Sequence, residues 1–460
     1  IWVTGVQTCA LPIYLTFRYN MLDAKRDLPP HPFVLSFANT GRGPNESSLP
    51  FQTAGYRINN DLHSFAAELN SRSTRFANRL FVSYNRFRDK RDPFSEPFPT
   101  VEIAEAGVTY TTLGHEPFSI HNILDQDVLQ FTNNFTLFKD RHSITFGANF
   151  DVFSFFNSFN IFRNGVFFLP APPTSIGTTF GSLDEFFTAT DPTNPDQIDF
   201  RALIGTGPFK GENIDVGQLA FYAQDEFAVS DRLNLTYGVR VDFPIYFTEP
   251  IDNPFSRGLI ALDENRNPET VDQSNLPGAK PLFSPRVGFN WNVAGDRRTQ
   301  LRGGTGIFTG RIPFVWFGNV ISNPGANPNL FPTGPERPTS DDATLAQSFD
   351  VNAMDPDFKW PQMWTTNIAV DQQLGGGFLG TLEFIYGKDL NNIFMRNADL
   401  VAPVSTLPDG RPFYGGFGAN ELNPDGGAGI YVIDNTDQGY NMNATAHYME
   451  IGRASCRERV

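Results

Sequence analysis

The strongest constraint on this chain is a hairpin that recurs along it, with short turns alternating with long connections. The clearest copy runs from Gln218 to Val229, turns at Ser230-Asp231-Arg232 and returns. On the return, Leu233, Leu235, Tyr237, Val239 and Val241 alternate with Asn234, Thr236, Gly238, Arg240 and Asp242. Successive side chains of a strand point to opposite faces, so this segment has one apolar and one polar surface. Ile144 to Val152 repeats the pattern after a turn at Lys139-Asp140-Arg141. Val287 to Val293 does so before Ala294-Gly295-Asp296-Arg297, and Trp364 to Val370 before Leu374-Gly375-Gly376-Gly377. A weaker copy, Phe76 to Tyr84, follows an expected turn at Asn70-Ser71-Arg72. About ten to twelve strands are expected, most of about 10 residues, the length of a tilted bilayer crossing.

The other ends are joined by long segments rich in Pro and Gly: about Asp89 to Gln126, Asn157 to Asn213, Thr248 to Leu282, Arg311 to Gln362 and Asp389 to Tyr440. Transmembrane barrels show this asymmetry, with short periplasmic turns and long external loops. A compact soluble domain rarely carries so many irregular connections. One short helix is expected inside a loop, with Ser182 as its N-cap, Asp184 and Glu185 in its first turn, then Phe186 and Phe187. The fold class read from these features is all-β, a partial antiparallel transmembrane β-barrel. Alternation alone leaves a soluble sandwich or propeller open, because it does not say which face is inside. Strand length, loop asymmetry and aromatics near strand ends favour the barrel.

Composition agrees. Phe (46) outnumbers Lys plus Arg (35), yet mean hydropathy is −0.28, as alternation produces and continuous apolar runs do not. No apolar run is long enough for a membrane helix. A net charge of −15 argues against nucleic acid as a partner.

The two ends differ from the rest. Residues 1–13 and 449–460 resemble translated sequencing-adapter read-through, and they hold both cysteines, Cys9 and Cys456. The expected organisation is a non-native tail at 1–13, barrel at 14–448 and a second such tail at 449–460. The barrel part then has no thiol chemistry. Leu15 to Tyr19 and Met442 to Tyr448, just inside the tails, are compatible with strands.

Catalytic signals are poor. Among His31, His63, His115, His121, His142 and His447, only His115 and His121 approach a metal-pair spacing, and solvated loop histidines is the expected reading. Gly303-Gly304-Thr305-Gly306 lacks the dinucleotide and P-loop spacings and reads as a strand whose glycines allow close approach. Asp341-Asp342 and Asp434 to Asp437 are read as solvated acidic loop rather than calcium sites. Asn45-Glu46-Ser47 matches a glycosylation triplet of the kind common by chance. No enzyme activity and no cofactor are expected. Under the barrel reading Asn149, Asp151, Arg240, Asp242, Arg286, Asn290 and Glu383 face a polar lumen, contacting solute or bracing the wall. Arg311, Trp316 and Tyr414 are candidate ligand contacts on long loops, each equally able to pack its own loop.

The hairpin Phe221-Tyr222-Ala223-Gln224-Asp225-Glu226-Phe227, its turn and Leu233 to Asp242 resemble TonB-dependent outer-membrane receptors. Ser284 to Trp291, Gln300 to Arg311 and Arg86 to Pro93 resemble the Oar-like branch. The resemblance implies the cell outer membrane, lipid contact and energised passage of a large solute. It also implies coupling to the TonB complex only through a plug and an N-terminal box that nothing here matches. A passive porin, a surface adhesin and, more remotely, a polysaccharide-acting enzyme with paired carboxylates stand as alternatives.

Overall fold

The computed structural model describes residues 13–30, 43–116, 122–158, 179–195, 197, 211–250, 252–263, 265–296, 298–325, 350–414, 422 and 429–450. Most of both end segments, His31, His121 and Asp341-Asp342 lie outside the described residues. In chain order the elements are β1 (Ile13–Leu28), β2 (Tyr56–Arg72), β3 (Phe76–Pro93), β4 (Val101–Glu105), β5 (Val108–Leu113), β6 (Ile123–Lys139) and β7 (His142–Ser158). Then come β8 (Thr179–Phe180), α1 (Leu183–Thr190), β9 (Glu212–Ala228), β10 (Leu233–Tyr246), α2 (Pro254–Arg257), β11 (Ala261–Leu262) and β12 (Pro268–Glu269). They are followed by β13 (Leu282–Asn292), β14 (Thr299–Thr309), α3 (Phe314–Ser322), β15 (Val351–Met354), β16 (Gln362–Gln373) and β17 (Phe378–Asn397). The last are β18 (Ser405–Thr406), β19 (Pro412–Phe413), β20 (Ile430–Thr436) and β21 (Tyr440–Glu450).

One 14-stranded sheet dominates. Its main path is an antiparallel meander, β1-β2-β3-β6-β7-β9-β10-β13-β14-β16-β17-β21, with β20 and β15 attached beside the far end of β17. Among the described residues β1 pairs only with β2, and β21 only with β17. All short turns lie at one end. Asp140 adopts φ 52°, and Gly376 and Gly377 adopt φ 77° and 86°, which permit abrupt reversals.

The register decides which face is inside. Phe17, Ala67, Val82, Phe131, Phe150, Leu219 and Phe243 form one row across seven neighbouring strands. Phe221, Tyr237, Val287, Ile368 and Leu382 share this outer face and are exposed, Leu382 at 62%. The opposite face is polar and covered: Asp151, Gln218 and Asp242 are 1%, 4% and 0% exposed. Twelve strands spaced about 4.8 Å apart, with an apolar band about 25 Å tall, present roughly 1,400 Å². A soluble monomer rarely shows a patch above a few hundred Å². The sandwich and propeller alternatives would need the reverse, apolar side chains inside. Exposed aromatics occur toward both rims: Tyr237, Trp291 and Phe378 near the short turns, Phe283, Trp364 and Tyr440 near the long loops.

Strands of the main path run 11 to 20 residues, longer than expected. Alternation gives way to charge at the long-loop ends, where the backbone ladder nevertheless continues. Arg57–Asp27 (2.6 Å) and Lys90–Asp92 (2.8 Å) line these extensions. The first short turn falls at residues 73–75; Asn70 to Arg72 belong to β2. Gly303 does sit in a strand: a Cβ there would lie 2.7 Å from the Asn367 carbonyl oxygen and 3.1 Å from the Phe289 ring.

The long loops carry their own structure. α1 is capped by Ser182, whose hydroxyl accepts from the Glu185 amide at 3.1 Å. β4, β5 and β8 form a small sheet around Val101, Ile103 and Phe180. His115 belongs to this unit and is 4% exposed, which overturns its reading as solvated. Its Nδ1 lies 2.6 Å from Ser95 Oγ. Asp434 to Thr436 are likewise not free loop but part of β20, where Asp434 faces Arg396 at 3.5 Å.

The contrast between the two faces can be measured directly. Phe221→Arg, at the middle of β9 on the outer face, should lower stability by about 2–4 kcal/mol in a bilayer. Thr236→Arg on the inner face should lower it by less than about 1 kcal/mol; urea unfolding in lipid vesicles distinguishes the two. Burial also pushes the His115 imidazole down to about 4, opposed by the Glu96 carbonyl. With an unfolded value near 6.5, the unfolded loop binds the proton first as pH falls. The loop unit should therefore be fully stable above about pH 6.5 and lose about 1.4 kcal/mol per unit down to about pH 4. Limited proteolysis across that range should show the loss in the native chain and its absence in His115→Gln.

Candidate functional site

The inner face of β7, β9 and β10 places Asn149 and Asp151, then Gln218, then Arg240 and Asp242, side by side. Residues two apart on one strand share a face, so Arg240 reaches forward to its own neighbour Asp242 with bonds of 2.8 and 3.0 Å. Arg240 also donates to Asn149 Oδ1 at 3.3 Å, and Asn149 donates to Asp151 Oδ1 at 3.0 Å. Gln218 donates to Asp242 Oδ1 at 2.7 Å.

Arg311 closes the ring. Its Nη2 donates to Asp151 Oδ2, and its Nε donates to Gln218 Oε1 at 2.7 Å. Along the sheet β14 and β7 stand four strands apart, roughly 19 Å. Arg311 spans that separation because the chain leaves β14 at Gly310 and crosses the inner side. Six side chains, Asp151, Arg311, Gln218, Asp242, Arg240 and Asn149, are thus bonded in a closed cycle. Two carboxylates almost without solvent access are tolerable only because two guanidiniums and two amides satisfy them.

Above the ring, toward the long loops, the same inner face turns apolar. Phe153, Ile214, Val216 and Leu282 receive α3, whose Phe317, Val320 and Ile321 are buried against them. The Arg311 guanidinium lies 4.6 Å from the Phe153 ring centroid, joining the polar and apolar layers. Trp316 sits on α3 and packs against this core rather than against the ring. Tyr414 is elsewhere, under Arg266 at 5.7 Å.

Beside the ring a cleft of about 540 Å³ is lined by Gln218, Arg240, Asp242, Ser284, Arg286, Phe308, Thr309, Gly310 and Arg311. Asn290 accepts from Gln300 farther along β13. Glu383 belongs to a second cluster, 3.4 Å from Arg302, which also bonds Asp371 at 2.9 Å. The structure therefore gathers Asn149, Asp151, Arg240, Asp242 and Arg311, sets Arg286 at the cleft, and leaves Asn290, Glu383, Trp316 and Tyr414 apart. Gln218, Ser284 and Phe308 were missed by sequence reasoning. Gln218 carried a signal, because it shares the face of Tyr222 and Gln224 on a recognised strand, as did Ser284, which shares the face of Arg286 two residues on. Among the described residues no group of three His, Cys, Asp or Glu side chains could hold a metal ion.

Comparison with known proteins places this architecture. Residues 16–446 match the family described as Outer membrane beta barrel domain. No curated protein sequence matches the chain. Among solved structures, it is similar to the outer membrane transporter YddB from Escherichia coli, with 11% identity and a TM-score of 0.51 over 96% of this chain and 43% of that one. It is also similar to the FrpB iron transporter from Neisseria meningitidis, with 11% identity and a TM-score of 0.46 over 94% and 48% of the chains. For a mutant of the ferric enterobactin receptor PfeA from Pseudomonas aeruginosa the values are 10%, 0.44, 85% and 41%. The chain spans less than half the length of each of these proteins. Matched over 431 of its 460 residues, with its apolar face outward and its polar face inward, the chain belongs to the outer membrane β-barrel domain family and resides in the outer membrane.

Proposed function

We propose that this chain forms part of the barrel wall of a TonB-dependent receptor of the Oar-like branch, serving energised passage of a large solute across the outer membrane. The observation that carries this reading is the buried polar ring on the inner face. A wall that only needed to fill itself would favour apolar packing inside, since buried ion pairs add little net stability. A hydrated passage favours charge. The hairpin Phe221 to Asp242 and the stretches Ser284 to Trp291 and Gln300 to Arg311 support the receptor assignment. Under this reading residues 1–13 and 449–460 derive from adapter, and contact with the TonB complex is made by parts of the receptor outside this sequence. The wall has a transport role and no catalytic one. Arg311 touches solute through its exposed edge while its buried side braces Asp151.

Coding sequence recovered around this region from adapter-free contigs is expected to contain a plug domain and a TonB-engaging segment upstream. A complete gene lacking both would overturn the reading in favour of a passive porin. The ring itself can be tested in the purified chain. Arg311→Ala should lower stability by about 1–3 kcal/mol, because it leaves the covered Asp151 carboxylate without its cation and with the Asn149 amide as its remaining described donor. Arg311→Ala combined with Asp151→Ala should recover a measurable part of that loss in urea unfolding, the sign of direct coupling.

A further inference from the structure

We propose that Arg286 and Phe308 form a docking site for a flat organic anion, an aryl carboxylate or its like, on the inner wall beside the ring. The inference rests on the reading of this inner face as a hydrated passage.

Charge accounting singles out Arg286. Three guanidiniums line the cleft: Arg240, Arg286 and Arg311. Arg240 is held by Asp242 and Arg311 by Asp151. Arg286 makes no hydrogen bond or ion pair with any described residue; its guanidinium carbon lies over the Phe308 ring, 5.6 Å from the centroid. With two carboxylates against three cations, the ring and cleft carry a surplus positive charge within a chain of net charge −15. Two other arginines of the inner wall are matched, Arg302 by Asp371 and Glu383 and Arg79 by Glu68, while Arg91 on β3 lies over the Tyr56 ring at 5.8 Å.

Phe308 supplies the second half of the site. It lines the cleft on the polar inner face yet is 46% exposed. An exposed aromatic face is normal on the lipid side of this sheet and out of place here. Beside this guanidinium, which already lies over one side of the ring, Phe308 offers aromatic surface for a planar group whose carboxylate takes two N–H donors from Arg286. Arg is suited to such fork-like recognition, whereas Lys offers only a point charge. Gly306 opposite Arg286 keeps the wall low at this point: a Cβ there would come within 2.9 Å of the Arg286 Cβ. The neighbouring polar groups are already committed, Ser284 to Thr309 at 2.8 Å and Gln218 to Asp242 and Arg311. Charge and stacking are therefore what the cleft has left to offer.

The test uses the full chain refolded in detergent, with 4-fluorobenzoate followed by ¹⁹F NMR and 4-fluorobenzylamine as the probe of opposite charge. The anion should bind and the amine should not. Arg286→Gln should weaken the anion at least tenfold, Arg286→Lys less, and Phe308→Leu to an intermediate degree. Equal binding by Arg286→Gln, binding of the amine as tightly as the anion, or no binding of the anion overturns the proposal. A second measurement guards against misfolding and separates the two readings. Phe308→Cys, with Cys9 and Cys456 changed to Ser, is reacted with anionic and cationic water-soluble thiol reagents of equal size. Faster reaction with the anionic reagent, lost when Arg286→Gln is added, supports the site. Equal rates with both reagents overturn the site while leaving a hydrated passage intact. No reaction with either reagent overturns the passage and the site together.

Discussion

Inside hydrocarbon, a backbone has no water to bond, so every amide and carbonyl must find its partner in the chain. The main-path strands from β2 to β17 meet that demand through an antiparallel ladder with a neighbour on each side, and the remaining features follow from it. Because the ladder fixes a side-chain period of two, each strand has one row for lipid and one for the interior. A slip of one residue would turn Asp151, Arg240 and Asp242 toward hydrocarbon and Phe150, Val239 and Val241 inward. The burden of specifying register falls on that contrast.

The inner face shows how such a wall manages charge. Near mid-height it holds a bonded cycle of acids, arginines and amides; toward the long loops it becomes apolar and accepts α3. The change occurs on single strands, between Asp151 and Phe153 on β7 and between Gln218 and Val216 on β9. Arg311 stands at the boundary, bonded to Asp151 on one side and stacked beside Phe153 on the other. The long loop that begins there is thereby anchored to the wall at its root. A loop so tied can present structure outside while its base remains part of the barrel interior.

Much of the wall was legible in advance because alternation is a local signal. Leu233 to Asp242 announces a strand without help from any neighbour, and Ser230-Asp231-Arg232 and Leu374 to Gly377 announce turns by their own backbone preferences. The extensions of β2 and β3 past the alternating region were not legible, since Arg57 and Lys90 carry no apolar partner row and are held by the ladder and by ion pairs to Asp27 and Asp92. Nor was the burial of His115, which depends on Ser95 and the β4–β5 hairpin closing over it.

The sequence by itself determined the strand period, the asymmetry of turns and loops, and the set of polar residues sharing one face. Those properties depend on residues a few positions apart, where covalent geometry alone sets direction. Only the tertiary structure decided which face is inside, that Arg311 meets Asp151 across 160 positions, and that Arg286 has no ionic partner among the described residues. These depend on how the whole sheet is paired and on where the chain crosses it. No local pattern encodes a distance between residues that far apart.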